Sequence, residues 1–261
     1  MKKINYFVVA ILLLLVGCGS RDTASLTGND SIVIDTALQA RVDSIGHAYP
    51  ELELDIMVMD SNGNVVACSP GVDDKKVFEP GVLFFPILAA TVGEIDTSMK
   101  LAVGTKDFYG FRISDSHRLF GTDSVTLQQA LEYRSPVAMA DFGSLFYYNY
   151  REELLHKIHR LMPGTKLPDL SNDTTFFRVC MGHEFSVTMR RLLECYRQPQ
   201  IAQFVPNGQM KASCFTVENK NKMKVYVKYS DDGRYIGMVM VENEGTNDDL
   251  SLEVLDSLFG N

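Results

Sequence analysis

Apolar residues recur at helical spacing through Leu38, Val42, Ile45 and Tyr49, behind the capping pair Asp35-Thr36 and ahead of Pro50. This predicts one amphipathic helix. Two apolar runs follow, Leu54–Asp60 and Val65–Cys68, separated by Ser61-Asn62-Gly63-Asn64. Asn-Gly is the dipeptide a tight hairpin prefers, so the pair reads as two antiparallel strands. After Pro80-Gly81 the stretch Val82–Val92 is apolar nearly all round, the pattern of a buried helix. Helical spacing continues over Thr126–Glu132, Ser135–Phe146, Glu152–Leu161 ahead of Pro163-Gly164, and Ser186–Tyr196, where Ser186 or Thr188 can supply the cap. Strand alternation returns at the end. Met223, Val225, Val227 and Tyr229 interleave with Lys222, Lys224, Tyr226 and Lys228, Asp232-Gly233 turns the chain, and Tyr235–Val241 answers. Asp248-Asp249 then caps an amphipathic helix through Leu250, Val254, Leu255, Leu258 and Phe259. The order predicts an α+β fold, a central antiparallel sheet drawn from both chain ends and flanked by helices.

The first residues do not belong to that pattern. Met1-Lys2-Lys3 precede an apolar run, Ile4–Val16, interrupted only by Asn5, and Gly17-Cys18 closes it. The order charged, apolar, small is that of a secretory signal, and the run is short for a membrane span. Leu15-Val16-Gly17-Cys18 resembles the lipobox of bacterial lipoproteins, which implies cleavage before Cys18 and lipidation of its sulfur; an ordinary signal with an incidental cysteine is the alternative. Residues 1–17 are then a signal peptide, polar residues 18–31 an anchor and tether, and 32–261 the folded domain. The expected place is a bacterial membrane surface, with the domain exported and facing the periplasm.

Composition narrows the partners. A net charge of −8 excludes a basic nucleic-acid face. Besides Cys18 there are Cys68, Cys180, Cys195 and Cys214, which allow three disulfide connectivities, although Cys68 and Cys195 sit in apolar patterns that favour buried thiols. No Cys-x-x-Cys spacing marks a zinc site, and neither metal nor cofactor is expected.

Several segments, in matching order, resemble the transpeptidase domain of penicillin-binding proteins. They are Ile32–Gln39, the hairpin at Met59–Gly63, Phe78–Pro86, Asp115-Ser116-His117, Val125–Tyr133, Met181–Thr188, and Gly233-Arg234-Tyr235 with Met238–Val241. Phe78-Glu79-Pro80-Gly81-Val82-Leu83-Phe84-Phe85-Pro86 keeps the frame of the family's Glu-Pro-Gly-Ser-x-x-Lys-Pro, with Val82 at the serine and Phe85 at the lysine. In Tyr133-Arg134-Ser135-Pro136 the family's Ser-x-Asn becomes arginine and proline. The counterpart of its Lys-Thr-Gly strand is Lys211-Ala212-Ser213.

Acyl transfer needs a hydroxyl and a nearby base, which Val82 and Phe85 do not supply. The resemblance thus implies a transpeptidase-like lipoprotein without catalytic residues, with Val82 and Phe85 as buried helix positions. It would be a binding or regulatory module in peptidoglycan assembly, its partners a stem peptide or cell-wall synthesis proteins. Two other readings stand beside it: residual acyl-enzyme chemistry through Ser135 or Cys214, and a purely structural lipoprotein scaffold. Arg134 and Lys211 are candidates to hold a carboxylate, with Ser135 beside them. His117 either touches a ligand or braces a loop. His156 and His159 have metal-ligand spacing on a helix, but Lys157 and Arg160 make that face a solvated basic one.

Overall fold

The computed structural model describes residues 34–72, 75–91, 98–115, 121–218, 220–242 and 250–259, all within the compact unit Ser31–Asn261. The signal segment, the lipobox with Cys18, and His117 lie outside the described residues. No described helix is long and apolar enough to cross a membrane.

Helix α1 (Thr36–Ala48) begins where the sequence predicts, because the Asp35 carboxylate accepts hydrogen bonds from the amides of Ala37 and Leu38. Strands β1 (Glu53–Asp60) and β2 (Val65–Cys68) form the predicted hairpin. Its turn is held by the Asp60 carboxylate, which accepts from the amides of Asn62 and Asn64 at 2.9 and 2.8 Å. A short strand β3 (Val77–Glu79) then leads into the apolar stretch after Pro80. That stretch is not one helix: it is a 3₁₀ turn, Gly81–Phe84, followed by α2 (Phe85–Ala90).

Two small two-stranded sheets follow, which the apolar pattern did not reveal: β4 (Lys100–Ala102) pairs with β7 (Ser124–Thr126), and between them in the chain β5 (Thr105–Phe108) forms a hairpin with β6 (Phe111–Ser114). Strands of three or four residues, rich in Lys, Asp, Thr and Ser, carry too few alternating positions to register. The predicted middle helices are α3 (Leu127–Tyr133), α4 (Pro136–Ser144) and α5 (Arg151–Leu161). Thr126 and Gln129 form a full capping box on α3. Helix α6 (Asp173–Cys180) was not foreseen; its buried residues Phe176, Phe177, Val179 and Cys180 have helical spacing, but over little more than one turn. After the two-residue β8 (Val187–Thr188), α7 (Met189–Tyr196) is capped by Thr188 rather than Ser186. A single turn α8 (Pro199–Ala202) precedes β9 (Gln209–Thr216), β10 (Lys222–Tyr229), β11 (Tyr235–Glu242) and the closing α9 (Leu250–Phe259).

The main sheet runs β2-β1-β11-β10-β9-β3-β8, and every pair is antiparallel. The two chain ends meet at its centre, with Leu54 opposite Val241 and Met59 opposite Ile236. Alternation along the strands divides the core. Ile56, Val58, Val239 and Val241 pack with Leu38, Val42, Val254 and Leu258 of the two terminal helices. Met57, Met59, Val225, Val227, Met238 and Met240 face the larger core that holds α2, α4 and α7. Such burial, at about 25 cal/mol per Å², is the main force that seats the helices on the sheet.

Cys68, Cys180, Cys195 and Cys214 form no disulfide. Cys195 is buried as expected, but Cys68 is only half-buried. Burial pushes the thiols of Cys180 and Cys195 up to about 12 and that of Cys214 higher still, so the three are neutral and poorly nucleophilic.

Candidate functional site: the Pro80-Gly81 turn and a groove between β9 and the loop after α3

The 3₁₀ turn is fixed by an unusually close approach of two backbones. Gly81 adopts φ +53° and Gly182 φ +80°. The Gly81 amide donates to the Gly182 carbonyl at 2.9 Å, and a Cβ built on Gly182 would lie 2.0 Å from the Gly81 oxygen. Glycine is therefore required at 182 for space as well as for conformation. From the other side the fully buried Tyr196 donates its hydroxyl to the Leu83 carbonyl at 2.7 Å, and Phe84 meets Phe185 edge-on at 4.9 Å. The segments Phe78–Pro86 and Met181–Thr188, which the sequence picks out separately, are thus one structural unit.

Phe85 is entirely enclosed, as expected of a core residue. Val82 corrects the expectation: it is only half-buried, packed against the core by one side and open on the other. The turn thus presents one side chain outward, and that side chain has no polar atom.

A cleft opens where the loop that joins α3 to α4 meets β9. Arg134 ends α3 in the left-handed conformation, φ +54°, and this capping geometry turns its side chain across to β9, where Nη1 donates to the Lys211 carbonyl at 3.0 Å. Arg134 and Lys211 are therefore brought together. With Leu131, Glu132, Asn207 and Gln209 they line a cleft of about 230 Å³. Pro136 is the first residue of α4 and half-buried.

Ser135 is a helix cap rather than a free hydroxyl. It is 1% exposed, accepts from the Ala138 amide at 3.0 Å and donates to Asp115 Oδ1 at 2.7 Å. The same Oδ1 accepts from the Val137 amide, while Oδ2 accepts from the Gly104 amide at 2.7 Å. Enclosed in this way, Ser135 offers a groove ligand nothing, a correction to its place among the binding candidates. Asp115, seen in the sequence only as part of a resemblance, is the joint between the β5–β6 hairpin and α4. Ser135→Ala is expected to lower stability by about 1–3 kcal/mol, since it removes the cap and strips the half-buried carboxylate of a hydrogen bond. Urea denaturation of parent and variant measures this.

Cys214 is likewise enclosed, its thiol 3.5 Å from the Pro80 carbonyl. Alternation along β9 sends Met210, Ala212 and Cys214 inward and leaves Ser213 and Phe215 exposed, with Lys211 half-buried on the same outward face. One pair escaped sequence reasoning: His183 Nδ1 lies 3.1 Å from Glu79 Oε2 beside the turn, joined across 104 positions of chain. His156 and His159 are exposed on α5, and no metal-binding group of His, Cys, Asp or Glu occurs among the described residues.

No family model and no curated protein matches the chain. Solved structures do share its fold. A peptidoglycan glycosyltransferase from Burkholderia ambifaria superposes with a TM-score of 0.69 at 13% identity, over 88% of this chain and 96% of that one. A peptidoglycan synthetase from Bifidobacterium adolescentis ATCC 15703 gives 0.65 at 15% identity, over 87% of this chain and 60% of that one. The chain therefore has a penicillin-binding-protein-like α+β fold, as its motifs led one to expect.

Proposed function

We propose that this protein is a non-catalytic, transpeptidase-like lipoprotein of the bacterial cell envelope, acting as a binding or regulatory module in peptidoglycan assembly. One observation carries the reading. The turn that would hold a nucleophile is fully built, from Gly81 packed on Gly182 to Tyr196 bonded to Leu83, yet its outward residue is Val82 and the position of the base is the enclosed Phe85. Scaffold without chemistry suits holding better than cleaving, because residues that act as a unit lose nearly all activity when one is gone. Burial of Ser135 and Cys214 weighs against their serving as substitutes.

The ligand we favour is a peptide carboxylate, in keeping with the peptidoglycan enzymes that share the fold. Arg134 gives one guanidinium nitrogen to the Lys211 carbonyl, and Arg134 and Lys211 both line the cleft, the two side chains that suit a carboxylate. Calorimetric titration with a peptidoglycan stem pentapeptide tests this. The parent should bind, and Arg134→Ala should weaken binding about tenfold or more, as loss of a charge-assisted contact does. No heat of binding with the parent removes the stem peptide as ligand.

A further inference from the structure

We propose a second binding surface, formed by none of the residues that line the cleft: the aromatic platform of Tyr109 and Tyr148, laid on the buried Tyr147, takes the pyranose rings of a neutral sugar chain. Seven large apolar or aromatic side chains are exposed among the described residues, and four of them, Tyr109, Leu145, Tyr148 and Tyr150, come from one hairpin tip and one loop. Tyr109 lies flat on Tyr147, centroids 3.9 Å apart and planes within 6°. Tyr148, 73% exposed, stands edge-on to both at 5.4 and 5.0 Å.

The backbone shows that this arrangement is not the least strained one. Tyr109 and Gly110 form the two-residue turn between β5 and β6, with φ +53° and +86°. Asn-Gly suits such a turn, and a bulky aromatic in the left-handed region is a true outlier. Half-exposed at the tip, Tyr109 keeps a strained conformation where asparagine would relax it, and strain of this kind points toward function. The platform is also rigid before any ligand arrives. The Arg151 guanidinium lies 4.2 Å over the Tyr147 ring, its Nε donates to the Tyr147 carbonyl at 2.7 Å, and Nη2 pairs with Asp173 at 2.8 Å. Phe177 backs Tyr147 at 5.4 Å. Such preorganisation lowers the ordering cost of binding.

Chemistry selects the ligand. A tyrosine offers a π face ending in a hydroxyl, and a pyranose offers a C–H face rimmed by hydroxyls, so the two are complementary in both parts. The charges beside the rings come in both signs, Arg151 paired with Asp173 and Asp107 opposite Arg112 on the hairpin, which makes no single-sign field to attract an ion. Nucleic-acid bases also stack on aromatics but arrive with phosphates that need a basic surface, against a chain of net charge −8. Two exposed rings fall short of the roughly 800 Å² per partner of a stable protein interface.

Saturation-transfer NMR and calorimetry on the full chain, with the β-1,4-linked tetramer of N-acetylglucosamine and with cellotetraose, test the proposal. Saturation should pass to ring protons of at least one sugar, and Tyr148→Ala, at a mostly exposed position, should weaken binding about tenfold. Tyr109→Asn should weaken it similarly while leaving the melting temperature unchanged or higher, because asparagine suits the turn. No transfer to either sugar at about 10 mM, a strength at which even weak sites bind, overturns the proposal. So does full affinity in Tyr148→Ala. A lowered melting temperature with intact binding in Tyr109→Asn overturns it too, since the platform would then be packing alone.

Discussion

Gly182→Ala is expected to destabilise the protein by about 3–5 kcal/mol, combining a left-handed backbone with the overlap of a new methyl group. The clash is with backbone, which cannot swing aside as a long side chain would: the Cβ would lie 2.0 Å from the Gly81 oxygen and 2.7 Å from its carbon. Loss on this scale is a large share of the roughly 5–15 kcal/mol that holds a domain together. Relief requires the Met181–Phe185 segment to move off the Pro80-Gly81 turn, which would also disturb the 2.9 Å bond between Gly81 and Gly182. Gly46→Ala supplies the opposite sign. It lies inside α1, a Cβ there meets nothing within 4 Å, and alanine should add about 0.5–1 kcal/mol. Urea unfolding of both variants separates the accounts: a loss below about 1 kcal/mol for Gly182→Ala would mean that the two segments are not pressed together.

Lys76→Met should be the next largest change, at about 2–4 kcal/mol, since breaking an enclosed ion pair leaves uncompensated charge. Lys76 sits one residue before β3, and its ammonium lies 2.5 Å from Glu242, 2.8 Å from Asp55 and 3.9 Å from Glu53. Glu242 is 4% exposed, and its carboxylate is held by the Lys76 ammonium and by the Asn221 amide, which donates at 3.4 Å. Burial works against the Lys76 charge, but the hydrogen bonds and charges of Asp55 and Glu242 outweigh it and raise its pKa. A raised folded value means that this contribution is fully present below the unfolded value near 10.5 and is lost as pH climbs through the folded one. Parent stability should therefore fall in strongly alkaline solution more steeply than that of Lys76→Met. Adding Glu242→Gln to Lys76→Met should recover part of the loss, because the stranded charge goes with it. Denaturant midpoints across alkaline pH measure both effects.

Much of the fold was legible because its long elements carry a period. The N-terminal helix, the Asn62-Gly63 hairpin, the final hairpin and the closing helix all fall where apolar spacing puts them. The 3₁₀ turn was not legible, since a run as apolar as Val82–Val92 has no face to tell one helix type from another. Site residues were recoverable only as positions in motifs. Arg134 and Lys211 were singled out from degenerate motifs, but their contact spans 77 positions and depends on a left-handed cap that arginine rarely occupies. Ser135 stood among the nucleophilic and binding candidates, and its role as the cap of α4, which encloses it, emerges only from the fold. The tyrosine platform left two signs that went unread: Tyr109-Gly110 where a turn prefers Asn-Gly, and the run Tyr147-Tyr148-Asn149-Tyr150.

The proposal that the Pro80-Gly81 turn keeps a transpeptidase-like frame without its chemistry meets its most direct test in intact-mass spectrometry after incubation with a fluorescent penicillin. The account predicts an unchanged mass and no labelled band, with Val82 presenting no hydroxyl and Ser135 and Cys214 enclosed. A stable adduct of the acylated mass, mapped to any residue of the turn or the groove, would contradict it.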